Sequence, residues 1–167
     1  MFCAMEHRAL AFALALLMPA AAPAGSLPPG FVYLRDIDPS IAQDMRYAGA
    51  DNFTGHPLPG YDAAECVLRR EVAVALAKVQ AGLARQTLGL KVYDCYRPTR
   101  AVLAFARWAK SADDGATKRF YPKLDKLTLF SGYIAAHASH SEGIAVDLTL
   151  VPLPAPPAVD FDPHAAY

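Results

Sequence analysis

The sequence carries no excess charge of either sign. Lys plus Arg number 16 and Asp plus Glu number 16, a formal net charge of zero with His neutral. Neutrality argues against nucleic acid or an anionic membrane as the main partner. There is no glycine-rich phosphate loop, Walker pattern or dinucleotide fingerprint, so nothing points to nucleotide chemistry. No internal repeat recurs at solenoid period. Cysteine is sparse, with three in 167 residues, and no two form a Cys-x-x-Cys pair of the kind structural zinc sites use. No glutamate follows Glu142.

What is present begins with a leader-like segment. Arg8 supplies a positive n-region, and Ala9 to Leu17 is apolar and uncharged. Pro19 breaks that run, and Ala22-Pro23-Ala24 fits a small-x-small cleavage site before Gly25. The run is too short for a stop-transfer helix. The expectation is a signal peptide over 1–24 and an exported chain, periplasmic or secreted, with no membrane attachment once the leader is removed. Removal takes away Glu6 and Arg8 together, so neutrality persists. The remainder is long enough for one domain, burying roughly 65–70% of its unfolded surface.

Cys66 and Cys95 then remain as an even pair. In an exported protein they form a candidate disulfide. It would close a loop of about 30 residues and contribute roughly 2–4 kcal/mol. Two separate buried thiols are the alternative.

Periodicity predicts a helix over Glu65 to Gln86, with Val67, Leu68, Val72, Leu76, Val79 and Leu83 along one stripe. Cys66 would open that helix. Leu90 to Asp94 alternates and predicts a strand ended by Cys95. Pro98 starts a second helix running to about Lys110, with Val102, Phe105, Ala106 and Ala109 on one face. Tyr33 to Tyr47 contains short extended runs around an Asp38-Pro39-Ser40 turn. Asp51 to Tyr61 is a long loop without a period, of the kind that lines sites. Ile144 to Val151 predicts the last strand, before a proline-rich stretch from Pro152. Helices and strands mix without a βαβ rhythm. The expected class is α+β, a small antiparallel or mixed sheet packed by helices.

Two segments carry chemistry. His140 and Asp147 stand seven residues apart with Gly143 between them as a bend. Zinc takes nitrogen from His and oxygen from Asp, so a loop-borne imidazole and a strand-borne carboxylate can converge on one ion. Asp147 sits in an apolar run, where a charge needs a partner or a metal. The plain alternatives are a surface His and an Asp bonded to backbone N–H groups. His137 is a further candidate ligand or neighbour. The second segment is Asp94-Cys95-Tyr96-Arg97-Pro98. An Arg at a strand-to-helix junction projects where sites are built, and its planar fork suits a carboxylate or a developing oxyanion. The alternative is a structural ion pair between Arg97 and Asp94.

Together, Tyr96-Arg97-Pro98 after a strand and His140-Ser-x-Gly143-x-Ala145-x-Asp147-Leu-Thr resemble the zinc D-alanyl-D-alanine dipeptidases of the Hedgehog/DD-peptidase fold. Ile41 to Ala48, Asp51 to Gly55, Leu88 to Val92 and Gly132-Tyr-Ile134 extend the resemblance from about Tyr33 to Val151. It implies a hydrolase that cleaves free D-Ala-D-Ala into two D-alanines in cell-wall metabolism. It implies one Zn2+ per chain, held by His140 and Asp147, with Arg97 stabilising the tetrahedral transition state.

The sequence also departs from the family. Its members continue to a Glu-x-x-His element supplying the general base and third zinc ligand, and these 167 residues contain none. The only later histidine is His164. Ala138 stands where the family has Ser, and Glu142 where Arg is common. The expected division is a leader over 1–24, a partial peptidase-like domain over 25–151, and a proline-rich tail or cut-short insertion over 152–167. Two functions follow: the dipeptidase, or a truncated inactive relative that at most binds zinc or a cell-wall peptide. A murein carboxypeptidase is a weaker third reading.

Overall fold

The computed structural model describes residues 27–131 and 139–155. The leader over 1–24, Gly132-Tyr-Ile134, His137, Ala138, His164 and the tail from residue 156 lie outside the described residues.

Strand β1 (Phe31–Tyr33) pairs antiparallel with β3 (Val67–Arg69), placing Val32 opposite Leu68. Between them the chain forms a one-turn helix, α1 (Leu34–Ile37), a short strand β2 (Ala42–Gln43) and a 3-10 turn over Arg46–Ala48. The extended runs expected there are the end of β1 and β2, and α1 is a helical turn between them that the sequence reading lacked. Its Leu34 is fully buried, and the turn lets that side chain reach the core.

The second sheet holds the site. Its order is β2-β4-β5, with β4 (Leu88–Asp94) at the centre. β2 runs parallel to β4, and β5 (Asp147–Pro152) runs antiparallel to it, so the sheet is mixed. With helices α2 (Arg70–Ala84) and α3 (Thr99–Lys110), the architecture is the α+β class expected. Along β4 the core-facing positions are Leu90, Val92 and Asp94, as a period of two requires. A carboxylate therefore occupies a core position, and Asp94 is 1% exposed.

Two boundaries and one helix face differ from the sequence reading. The helix expected from Glu65 starts at Arg70, because Val67-Leu-Arg69 pairs with β1 instead. Two apolar residues, Val67 and Leu68, suit either element, and the ladder to β1 decides. Cys66 thus precedes a strand rather than opening a helix. On α2, Val79 is 51% exposed and Gln80 is 2% exposed. The Gln80 side-chain carbonyl accepts from the Leu90 N–H at 2.8 Å, a polar contact that turns this face inward. The last strand begins at Asp147 rather than Ile144, so Asp147 opens β5 and does not lie within it.

The second helix matches its reading closely. Pro98 stands at the N-cap, and Ala101, Val102, Phe105 and Ala109 are buried, with Ala106 half-buried. Phe105 joins Tyr47, Phe53 and Trp108 in an aromatic cluster, edge-to-face except for the tilted Phe53–Phe105 pair, with centroids 4.8–5.9 Å apart. The Asp51–Tyr61 loop supplies Phe53 to this cluster and is fixed by Asn52. The Asn52 side chain bonds Gly49 and His56 carbonyls and the Thr54 N–H. No helix among the described residues is long and apolar enough to cross a membrane.

Candidate metal centre

The ladder between β4 and β5 ends in an irregularity between Val92 and Asp94, beyond which Asp94 faces Asp147. Two carboxylates opposite one another repel unless cations lie between them. Arg97 and His140 supply those groups. The Arg97 Nε and Nη2 donate to Asp94 Oδ2 at 2.8 and 2.6 Å, and Nη2 lies 3.5 Å from Asp147 Oδ2. His140 sets Nδ1 3.6 Å from Asp94 Oδ2 and Nε2 3.4 Å from Asp147 Oδ1.

Backbone bonds join the segment after β4 to the 3-10 turn Ser139–Glu142. The Arg97 N–H donates to the His140 carbonyl at 3.1 Å, and the Ser141 hydroxyl donates to the Arg97 carbonyl at 2.8 Å. The Cys95 carbonyl lies 2.9 Å from His140 Nδ1. A carbonyl only accepts, so Nδ1 carries a proton; Nε2 faces Asp147 and offers either a lone pair to a metal or, in the protonated imidazole, a second N–H to the carboxylate. The turn closes through Gly143, at φ +74°, whose carbonyl accepts from the Arg69 N–H at 2.9 Å. A Cβ there would meet Phe31 Cε1 at 2.4 Å. Gly143→Ala is expected to cost about 1–3 kcal/mol, read as a lower denaturation midpoint. A midpoint equal to the parent's would contradict this packing.

Asp94 holds Arg97 in place. Its Oδ1 accepts from the Tyr61 hydroxyl at 2.6 Å and the Cys95 N–H at 2.9 Å, while Oδ2 takes the Arg97 fork. Burial pushes the Asp94 carboxyl up, and Arg97 and Tyr61 pull against that. Burial works against the Arg97 charge, Asp94 is the largest of the groups that counter it, and the Arg97 pKa ends raised. The guanidinium also lies over the Tyr47 and Phe105 rings, at 5.7 and 5.4 Å. Burial, reinforced by the Asp94 charge, raises the Tyr61 phenol, which stays a protonated donor.

Among the described residues, one cluster of metal-ligating groups appears: Asp94, His140 and Asp147, with ligand atoms within 4.8 Å of one another. Asp94 is saturated by four donors and addresses the His140 nitrogen already bonded to Cys95. The open pair is His140 Nε2 and Asp147 Oδ1. A tetrahedral zinc with ligand distances of about 2.0–2.1 Å separates its donors by about 3.3 Å, which the observed 3.4 Å matches. The Asp147 side chain is 54% exposed, so this edge is open to solvent. Asp147 thus stands at the solvent-open start of the apolar strand to which the sequence assigned it.

Without metal the open pair is an ion pair. The hydrogen bond to Asp147 raises the His140 pKa against burial, and the same bond lowers that of Asp147. A raised His pKa stabilises the fold below the unfolded value near ~6.5 and loses that contribution as pH rises. A lowered Asp pKa stabilises above ~3.9 and loses it as pH falls. The metal-free chain is therefore expected to gain stability from this pair between about pH 4 and 6.5, and His140→Ala to lose that gain. Thermal melts in chelator across pH check this. Identical pH slopes for parent and variant would contradict it.

The structure thus brings Arg97, His140 and Asp147 into one site and joins Cys66 to Cys95 beside it. Tyr47 and Tyr61 were missed in the sequence, and Asp94 stood there only as the ion-pair alternative for Arg97. Asp94 had a usable signal, a carboxylate in the core register of an alternating strand. Tyr61 had none, since it lies 33 residues from Asp94 in a loop without a period.

The family model for D-ala-D-ala dipeptidases, peptidase M15, matches residues 28–160. The chain belongs to the peptidase M15 family. That segment includes every residue of the centre just described. Among curated M15 relatives, the D-alanyl-D-alanine dipeptidase of Enterococcus faecium is 42% identical over 123 residues, covering 72% of this chain and 61% of the relative. That of Streptomyces coelicolor is 41% identical over 122 residues, covering 72% and 60%. That of Escherichia coli is 32% identical over 119 residues, covering 71% and 52%. The chain thus spans about three fifths of the length of the first two.

Proposed function

We propose that this chain carries the metal- and carbonyl-binding part of a zinc-dependent hydrolase for the free dipeptide D-Ala-D-Ala, yielding two D-alanines. The observation that carries the reading is the His140 Nε2–Asp147 Oδ1 pair, 3.4 Å apart, with the Arg97 guanidinium 3.5 Å from the same carboxylate. The substrate is taken from the names of the relatives. His140 and Asp147 would hold the ion. What zinc supplies there is Lewis acidity, which polarises an amide carbonyl and makes water acidic near neutral pH.

The remaining roles belong to the chain itself. Asp94 fixes Arg97 through Nε and Nη2, and Nη1 makes no hydrogen bond among the described residues. That nitrogen is the donor for an oxygen gaining charge as the amide carbonyl becomes tetrahedral. Cys95 fixes the His140 tautomer, and Tyr61 supports Asp94. Export to an oxidising compartment fits both the leader pattern of 1–24 and the Cys66–Cys95 bridge.

One observation favours a second reading. Among the described residues no glutamate joins the cluster, and only His140 and Asp147 have uncommitted donor atoms. The chain would then hold metal or a cell-wall peptide without cutting it. Alanine release from D-Ala-D-Ala, L-Ala-L-Ala and N-acetyl-D-Ala-D-Ala separates the two readings. Release from the first alone supports the dipeptidase. Stoichiometric zinc without release from any of them supports capture.

A further inference from the structure

We propose that the Cys66–Cys95 disulfide is a positioning brace for His140, acting through the Cys95 carbonyl. The proposal rests on the zinc reading above for its consequence, but not for its geometry.

An imidazole offers a metal one nitrogen lone pair when its other nitrogen carries the proton, and the acceptor of that proton fixes tautomer and ring plane. Here the acceptor is the Cys95 carbonyl, 2.9 Å from Nδ1. Cys95 is the first residue beyond β4, where the ladder to β5 has ended. Its carbonyl direction therefore depends on what ties the residue from other sides. Its N–H donates to Asp94 Oδ1 at 2.9 Å, and the next N–H, of Tyr96, donates to the Val67 carbonyl at 2.9 Å. The third tie is the bond to Cys66.

Cys66 is itself a fixed point. It immediately precedes β3, its N–H donates to Gln43 Oε1 at 2.8 Å, and its carbonyl accepts from the Leu34 N–H at 2.9 Å. Both cysteines are fully buried. The bridge thus couples the β1–β3 sheet to the mixed sheet at the residue whose carbonyl orients His140. A staple serving stability alone has no need to stand there. This position links the bond to the metal ligand.

The test compares the full chain with C66A/C95A, and with C66V/C95A, which refills more of the sulfur volume. Each is checked for a cooperative thermal transition. Nitrogen-15 NMR of the metal-free protein, at a pH where imidazoles are neutral, reads the His140 tautomer. Competition with a chelator reads zinc affinity.

In the oxidised parent His140 is expected as the Nδ1–H form. In the bridge-free variants a mixture with Nε2–H is expected, with zinc affinity lower by about 10- to 100-fold. Folded variants that melt earlier but keep the Nδ1–H form and the parent's affinity would overturn the brace. If neither variant folds, the parent is compared before and after mild reduction of the bridge: a shift from Nδ1–H towards Nε2–H supports the brace, and an unchanged Nδ1–H form, or Nε2–H already in the oxidised parent, overturns it. A tautomer that shifts on loss of the bridge, in a chain that binds no zinc, supports the brace and refutes the zinc reading, so the two fail separately.

Discussion

Arg97→Lys is expected to lower kcat for D-Ala-D-Ala by about 100- to 1,000-fold, with fold and zinc content close to the parent's. In the proposed function Arg97 would perform two tasks with one planar group. Nε and Nη2 satisfy Asp94, and Nη1 would be left for the substrate. A lysine ammonium is a point charge that Asp94 draws to itself, and it has no second arm in a fixed direction. The loss falls on kcat because the oxygen gains its charge only as the carbonyl becomes tetrahedral. Steady-state kinetics at matched zinc occupancy measure this. A kcat near the parent's would mean that Arg97 is a structural ion pair and nothing more.

Asp94→Ala is expected to destabilise the fold by about 3–5 kcal/mol. The substitution leaves the buried Arg97 charge without its bidentate partner. It also strands the Tyr61 hydroxyl and the Cys95 N–H. Desolvation already opposes the Arg97 charge, and Asp94 is the largest of the groups that counter it. Asp94→Asn keeps an oxygen for Tyr61 and Cys95 but turns a neutral amide to the guanidinium, and is expected to cost less. Tyr61→Phe, removing one donor, is expected to cost about 0.5–1.5 kcal/mol. Denaturant unfolding orders the three. A change within about 0.5 kcal/mol for Asp94→Ala would contradict the description of Asp94 as the acceptor on which the site is built.

Local pattern made α3 legible, because Pro98 marks its start and the apolar residues recur on one face. It made β4 legible through alternation, though two residues too short. It misplaced the start of α2, where Val67 and Leu68 fit a helical stripe yet pair with Phe31–Tyr33 across the chain. A contact between strands that far apart leaves no local signature. The site divides in the same way. His140, Asp147 and Arg97 stand in short motifs around a glycine bend and a strand-to-helix junction, so they were readable as candidates. Tyr61 reaches Asp94 only through folding. The pairing of Asp94 with Asp147 depends on the β4–β5 register, which spacing alone does not reveal.

Zinc content and D-alanine release, measured on the same preparations of parent and His140→Ala, test the central claim most directly. One zinc per parent chain with D-alanine released from D-Ala-D-Ala is predicted, and both are predicted to be lost in the variant while its melt stays cooperative. A folded parent with neither zinc nor release, or release unchanged by His140→Ala, would contradict it.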